Sequence, residues 1–272
     1  MTSFVHLHAA AANPTLSDTC LVVHGDRLLA HARETEGVIF PTFDVVATWS
    51  EPVRQRMHVG LIAGRPHWAL AVERADAPPP AGWQWQETRA LLSLFTPDQW
   101  QAISCARQLL WWDRRHQFCG ACGTPTVEVS EERARRCPKC TAMFFPVVSS
   151  AVIVAVTRGE ELLLAHNRNF RAGMFSLLAG FVDPGETLEQ AAIREVREEV
   201  GIQIKNLVYV TSQPWAFPNS LMVGFRAEFA SGDILVDGKE IEEARWYRRA
   251  SLPEIPRPGT VARQIIDLWH QE

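Results

Sequence analysis

The stretch GFVDPGETLEQAAIREVREEVGI, Gly180 to Ile202, carries six carboxylates in 23 residues. Glu195, Glu198 and Glu199 stand at i, i+3 and i+4, which places them on one helical face about one turn deep. Carboxylates so crowded repel one another unless a cation sits among them. Hard oxygen ligands suit Mg²⁺ or Mn²⁺, and such a cluster neutralises a polyphosphate while activating water. An acidic face kept for solubility is the competing reading. Arg194, four residues before Glu198, is placed to partner a carboxylate instead of contacting substrate.

A second constellation is Cys119-x2-Cys122 and Cys137-x2-Cys140, with fourteen residues between the pairs. Two such knuckles offer four thiolates to one tetrahedral Zn²⁺, and four ligands leave no open position, so the site reads as structural, with iron or a redox pair as the other reading. His116 is a substitute ligand that a complete quartet does not need. The other two of the six cysteines, Cys20 and Cys105, read as buried structural thiols. The same segment holds Arg133, Arg135, Arg136 and Lys139. Four cations can meet nucleic-acid phosphates. A solvated loop balanced by Glu128, Glu131 and Glu132 is the favoured reading.

The elements that must position these residues follow from periodicity and caps. Thr187 is an N-cap whose capping box is closed by Gln190, and Gly201 ends the helix. Leu188, Ala192, Val196 and Val200 form an i+4 stripe for packing on a sheet. "VVSSAVIVAVTRG" and "EELLLAHNR" read as strands joined at Gly159, and "MFSLLAGF" as a strand entering the acidic motif. "KNLVYVTSQPW", "LMVGFRAEFA" and "ARWYRRA" are further strands, and "TVARQIIDLWHQ" is a closing helix. Upstream, Thr96 and Gln99 cap a helix running to about Arg114, with Trp100, Ile103, Ala106/Arg107 and Leu110/Trp111 on its apolar face.

Residues 1 to about 90 read as short strands and turns, with a hairpin at Gly25-Asp26 and a stiff connection from Asp76 to Trp83. His6, His8 and His24 carry no constellation. The expected organisation is a β-rich N-terminal domain (1–95), a connecting helix (96–114), a zinc ribbon (115–145) and a catalytic domain (146–272). Strands and helices without regular alternation give an α+β class, with an α/β/α sandwich for the last part.

Composition bounds the rest. The 272 residues are 47% hydrophobic and 21% charged, with a net charge of −4, which gives no global drive toward nucleic acid or membrane. No apolar run approaches the roughly 18 residues of a membrane span. The N-terminus does not read as a signal peptide, so a cytoplasmic location is expected.

The spacing Gly180-x5-Glu186-x7-Arg194-Glu195-Val196-x-Glu198-Glu199-x-Gly201-Ile202 resembles the Nudix box at every defining position. The resemblance implies a Nudix α/β/α sandwich and metal-dependent cleavage of a nucleoside diphosphate linked to another group. It implies that Glu195, Glu198 and Glu199 hold the metals, while Glu186 and Arg194 shape the turn between loop and helix.

Ten residues beyond the box, "SQPWAFPNS" from Ser212 to Ser220 is similar to the SQPWPFPxS signature of the NADH pyrophosphatase branch, also called NAD-capped RNA hydrolases. On chemistry alone, Trp215 and Phe217 offer aromatic walls, and Gln213, Asn219 and Ser220 offer hydrogen bonds, as a base-and-ribose pocket needs. A core-packed loop is the other reading. The resemblance carries a substrate pocket over to Ala179, to Gln213, Pro214, Trp215, Ala216, Phe217, Pro218, Asn219 and Ser220, to Glu240 and to Ala262. Glu240 corresponds to a further metal ligand, a choice over Glu242 and Glu243 that rests on resemblance. Phe181 and Phe145 match rings that sandwich nicotinamide. Three departures bear on substrate preference: Ala216 replaces the second proline of the signature, Phe145 a usual tyrosine, and Val147 and Ser150 an arginine and a proline.

The expected function is hydrolysis of NADH or NAD⁺ to nicotinamide mononucleotide and AMP, with removal of NAD caps from RNA as the same cleavage. Glu199 is the expected general base. Mg²⁺ or Mn²⁺ is the expected catalytic metal, Zn²⁺ the structural one, and a homodimer the assembly the resemblance implies. The rivals are a Nudix hydrolase of ADP-ribose or another nucleoside diphosphate, and a non-catalytic zinc-ribbon RNA-binding protein.

Overall fold

The computed structural model describes residues 4–7, 13–33, 37–49, 53–72 and 78–271. His8 and the first two residues of the Asp76–Trp83 connection lie outside these. The chain forms two compact units. One is Met1–Val148 with Ala216–Asn219, and the other is Ser149–Trp215 with Ser220–Glu272.

In the first unit, strands β1 (Phe4–His6), β2 (Thr19–His24), β3 (Arg27–Arg33), β4 (Gly37–Ile39), β5 (Val53–Ile62), β6 (Arg65–Val72) and β7 (Gln84–Glu87) form one sheet. Its order is β1-β5-β6-β2-β3-β4, with β7 also on β3. The expected hairpin turns at Gly25-Asp26, where Gly25 takes φ +54°. A short helix α1 (Phe43–Ala47) interrupts a region read from sequence as strands and turns alone. Helix α2 (Pro97–Arg115) starts at Thr96, whose hydroxyl accepts the Gln99 N–H while the Gln99 side chain accepts the Thr96 N–H. Its buried face, including Trp100, Ile103, Ala106 and Leu110, packs on β5 and β6.

Strands β8 (Val127–Glu128), β9 (Arg135–Arg136) and β10 (Met143–Phe144) make a small sheet in the order β10-β9-β8. The cysteine knuckles flanking it use one hydrogen-bond pattern twice. Gly123 and Thr141 donate N–H to the carbonyls of Cys119 and Cys137 at 2.9 and 3.0 Å. Both sit at positive φ, +71° and +63°, which folds each CxxC back on itself.

The second unit holds β11 (Ser149–Arg158), β12 (Glu161–Asn167), β13 (Leu178–Phe181), β14 (Gln203–Trp215), β15 (Ser220–Ser231) and β16 (Ile241–Arg248). The sheet order is β14-β15-β11-β12-β16, with β13 on β11, and β11 and β15 are parallel. Helices α3 (Leu188–Val200) and α4 (Val261–Gln271) cover its two faces. Alternation along β11 explains why. Val152, Val154 and Val156 pack with Ala191, Ala192, Val196 and Val200 of α3. Ile153 and Ala155 pack with Val261, Ala262, Ile265, Ile266 and Trp269 of α4. Burying each valine, leucine or isoleucine contributes roughly 1.5–3 kcal/mol, which locks the register of a strand covered on both sides.

The strand expected over "MFSLLAGF" is confined to Leu178–Phe181. Before it, Met174 and Ser176 make only isolated bridges, to Glu254 and Ala165. The apolar residues there are buried against α4, and burial alone does not distinguish a strand from a packed loop.

Candidate active site

The acidic motif is built by β13, the turn Asp183-Pro184-Gly185 and helix α3. Thr187 closes its capping box with Gln190, and Gly201 ends the helix at φ +76°, its N–H donating to Arg197 O at 3.0 Å. Both caps are where the sequence places them.

Arg194 ties the loop to the helix. Its Nε and Nη2 donate to the two oxygens of Glu186 at 2.7 and 2.8 Å, a bidentate pair. Nη1 donates to Glu195 at 2.8 Å and to Glu198 at 3.0 Å, and Nη2 also reaches the Phe181 carbonyl at 2.9 Å. Glu186 further accepts the Asp183 N–H. The Arg194 guanidinium holds the Glu186 carboxyl down at about 2.

Behind this latch Glu199 lies near enough to Glu195 and Glu240 to feel their charges. Glu199 is buried, one oxygen accepts the Ala179 N–H, and Oε2 has no hydrogen-bond donor. Burial, reinforced by the charges of Glu195 and Glu240, pushes it up to about 8. Burial also raises Glu195, against the pull of Arg194. Glu195 lies where a Cβ on residue 180 would stand, so any side chain there would displace its carboxyl. A buried carboxylate oxygen without a donor, beside further carboxylates, suits a hard divalent cation. Glu198 is more exposed and is drawn to Arg194.

The loop after β15 delivers Glu240. Leu235 and Asp237 donate their N–H groups to Val200 O and Glu199 O, pinning the loop to the end of α3. Asp237 then accepts the N–H groups of Lys239, Glu240 and Ile241. Of three neighbouring glutamates, Glu240 is the one whose charge bears on both Glu195 and Glu199. Glu242 faces His166, and Glu243 pairs with Arg245. Asp237 was not singled out from sequence, although an Asp-Gly-Lys-Glu turn is its signal.

The residues of the signature separate. Gln213 spends both ends of its amide at the start of α4, donating to Gly259 O and accepting the Val261 N–H, each at 2.8 Å. Ala262, next in the chain, is buried. Pro214 and Trp215 are half-buried at the end of β14, and Ser220 is buried opposite Trp215. In the first unit, Ala216 is fully buried and Asn219 donates to Val147 O. Pro218 is exposed and follows a cis peptide bond. Phe217, expected as an aromatic wall, has the guanidiniums of Arg89 and Arg107 over its ring. Phe145 and Phe181 are 51% and 59% exposed.

The four cysteine sulfurs lie within 4.8 Å of one another, the one such potential ligand set among the described residues. His116 is outside it, its Nδ1 bonded to Trp112 O. The basic residues of this segment divide, and neither sequence reading holds for two of them. Arg133 donates to the carbonyls of Leu7, His58 and Val59, and Arg135 is buried against Asp113. Arg136 and Lys139 remain exposed. Cys20 and Cys105 are buried, as expected.

Residues 17–112 match the NADH pyrophosphatase-like rudimentary NUDIX domain, 114–145 the NADH pyrophosphatase zinc ribbon domain, and 147–268 the NUDIX domain. The first match escaped the sequence reading because no acidic box marks that region. The protein named NAD-capped RNA hydrolase NudC of Stutzerimonas stutzeri (strain A1501) is 40% identical over 262 residues, 96% of this chain and 93% of its own. Its namesake in Pseudomonas syringae pv. syringae (strain B728a) is 41% identical over 92% of this chain and 88% of its own. A NUDIX hydrolase structure from Nitrosomonas europaea shares the fold, with a TM-score of 0.50 and 22% identity over 57% of this chain and 91% of that one. From its paired Nudix and ribbon parts and its identity to these relatives across nearly its whole length, the chain belongs to the NADH pyrophosphatase, or NAD-capped RNA hydrolase, family of Nudix hydrolases.

Proposed function

We propose that this Nudix hydrolase cleaves the central pyrophosphate of NADH or NAD⁺ to nicotinamide mononucleotide and AMP, and removes NAD caps from RNA by the same cleavage. The observation that carries the chemistry is the buried, donor-free Oε2 of Glu199 beside Glu195 and Glu240. The substrate class follows from relatives of like length named as NAD-capped RNA hydrolases.

Glu195, Glu198, Glu199 and Glu240 would hold Mg²⁺ or Mn²⁺, which would supply charge neutralisation for the pyrophosphate and a more acidic water. The chain's own residues do the rest. Arg194 and Glu186 fix the loop, and the space left by Gly180 seats Glu195. Glu199 accepts the proton of the attacking water in this reading. The exposed ring of Phe181 offers a face for stacking nicotinamide. For an RNA substrate, Arg136 and Lys139 are the ribbon cations left to meet phosphates.

Met143, Phe145, Val147 and Val148 are exposed apolar residues in one short run, which supports a homodimer interface. A cytoplasmic location agrees with four reduced cysteines serving as zinc ligands. No described helix is long and apolar enough to cross a membrane.

Ranking kcat/KM for NADH, NAD⁺, NAD-capped RNA and ADP-ribose tests the reading. The first three exceed ADP-ribose if it is right. Preference for ADP-ribose keeps the chemistry and replaces the substrate. RNA binding without cleavage of any of them overturns the enzyme.

A further inference from the structure

Trp215 and Ser220 face each other where β14 meets β15, so residues 216–219 are the tip of that hairpin. By their contacts these four residues belong to the first unit. There, Arg107 of α2 donates Nε–H to the Ala216 carbonyl at 3.0 Å, and its guanidinium lies 4.7 Å from the centre of the Phe217 ring. Arg89 lies over the same ring at 4.4 Å, and Trp100 stacks on it at 6.2 Å. The other donors of Arg107 are held by the β2–β3 turn, Nη1 on Gly25 O at 2.9 Å and Nη2 on Asp26 at 2.6 Å.

The Arg107 side chain is only 6% exposed. A buried guanidinium is a poor source of stability, because desolvation offsets much of its pairing and an apolar side chain of similar size packs as well. What the guanidinium alone adds is direction. Its rigid fork ties one backbone carbonyl of the tip to a tight turn, while its face holds the adjacent ring. Ala216 is fully buried, so the tip cannot relax around a lost bond without opening.

We propose that Arg107, aided by Arg89, is a positioning residue for the substrate loop. By fixing Ala216 and Phe217 it sets the geometry of the part of the signature that belongs to its own unit. The role rests on the function proposed above, and it is one of substrate fit, not of chemistry.

Two measurements test it on the full-length protein. Arg107→Met raises KM for NADH about tenfold while kcat stays within about twofold, because positioning acts on binding. Arg107→Lys restores little of this, since an ammonium lacks the fork. Arg133→Met removes an arginine that holds carbonyls elsewhere in the same unit, so it lowers Tm and leaves KM unchanged. Hydrogen exchange supplies a readout independent of activity: amides of residues 214–221 exchange faster in Arg107→Met and not in Arg133→Met. Should Arg107→Met not fold, Arg107→Lys and Phe217→Leu carry both measurements. A wild-type KM, or unchanged exchange at the tip, overturns the positioning role. A wild type inert toward NADH and NAD⁺ overturns the proposed function instead, and exchange at the tip still decides the role of Arg107.

Discussion

The carboxyl of Glu195 occupies the space that a side chain on residue 180 would fill. The first glycine of the box is thus a steric requirement, since its φ is not in the left-handed region. Gly180→Ala is expected to fold with little change in Tm, because the group it displaces is the end of a flexible side chain. Its kcat should fall about a hundredfold, the scale on which small misplacements of catalytic groups act. Steady-state kinetics alongside thermal melts separates the two effects, and unchanged kcat contradicts the arrangement.

Arg194 and Glu186 make a pH-sensitive latch. The Glu186 carboxyl is lowered from 4.5 to about 2, chiefly by Arg194. A lowered carboxyl adds stability that is fully present above its unfolded value and is lost as pH falls through the folded one. The Tm gap between wild type and Arg194→Met should therefore be constant above about pH 5 and narrow as pH falls toward about 2. A gap independent of pH over that window contradicts the pairing.

Glu199 has the opposite sign. Raised from 4.5 to about 8, it binds its proton more tightly folded than unfolded. Its contribution is intact below the unfolded value and is lost as pH rises through the folded one. With zinc retained but Mg²⁺ and Mn²⁺ removed, stability should drop by a few kcal/mol from about pH 5 to about pH 8. Glu199→Gln should flatten that decline, and saturating Mg²⁺ should offset it. Melts across the window, with and without metal, give the answer.

The ribbon predicts one zinc per chain. Cys137→Ser removes a ligand from a closed set, so zinc content by elemental analysis and Tm should fall together. Full zinc retention in that variant contradicts the quartet.

How far the sequence speaks depends on the range of the interaction. The caps at Thr187, Gln190 and Gly201 were legible because each bond spans three or four residues. So was the Ala192, Val196, Val200 stripe, since burial follows helical period. The carboxylate spacing located the acidic face, but not that Glu199 alone would be deeply buried, which depends on β13 and the loop carrying Asp237. Arg107 meets Ala216 across 109 residues, and no local pattern announces it. The ribbon arginines failed for the same reason. Arg133 and Arg135 read as surface charge, yet their acceptors lie up to 126 residues away and on α2.

The most direct test is chromatography of the products after incubation with NADH and Mg²⁺ or Mn²⁺, for wild type and Glu199→Gln. The account predicts equal amounts of reduced nicotinamide mononucleotide and AMP from wild type, none with chelator, and a loss of at least about a hundredfold in Glu199→Gln. Near-normal turnover by Glu199→Gln with metal saturating, or products from any bond other than the central pyrophosphate, would contradict it.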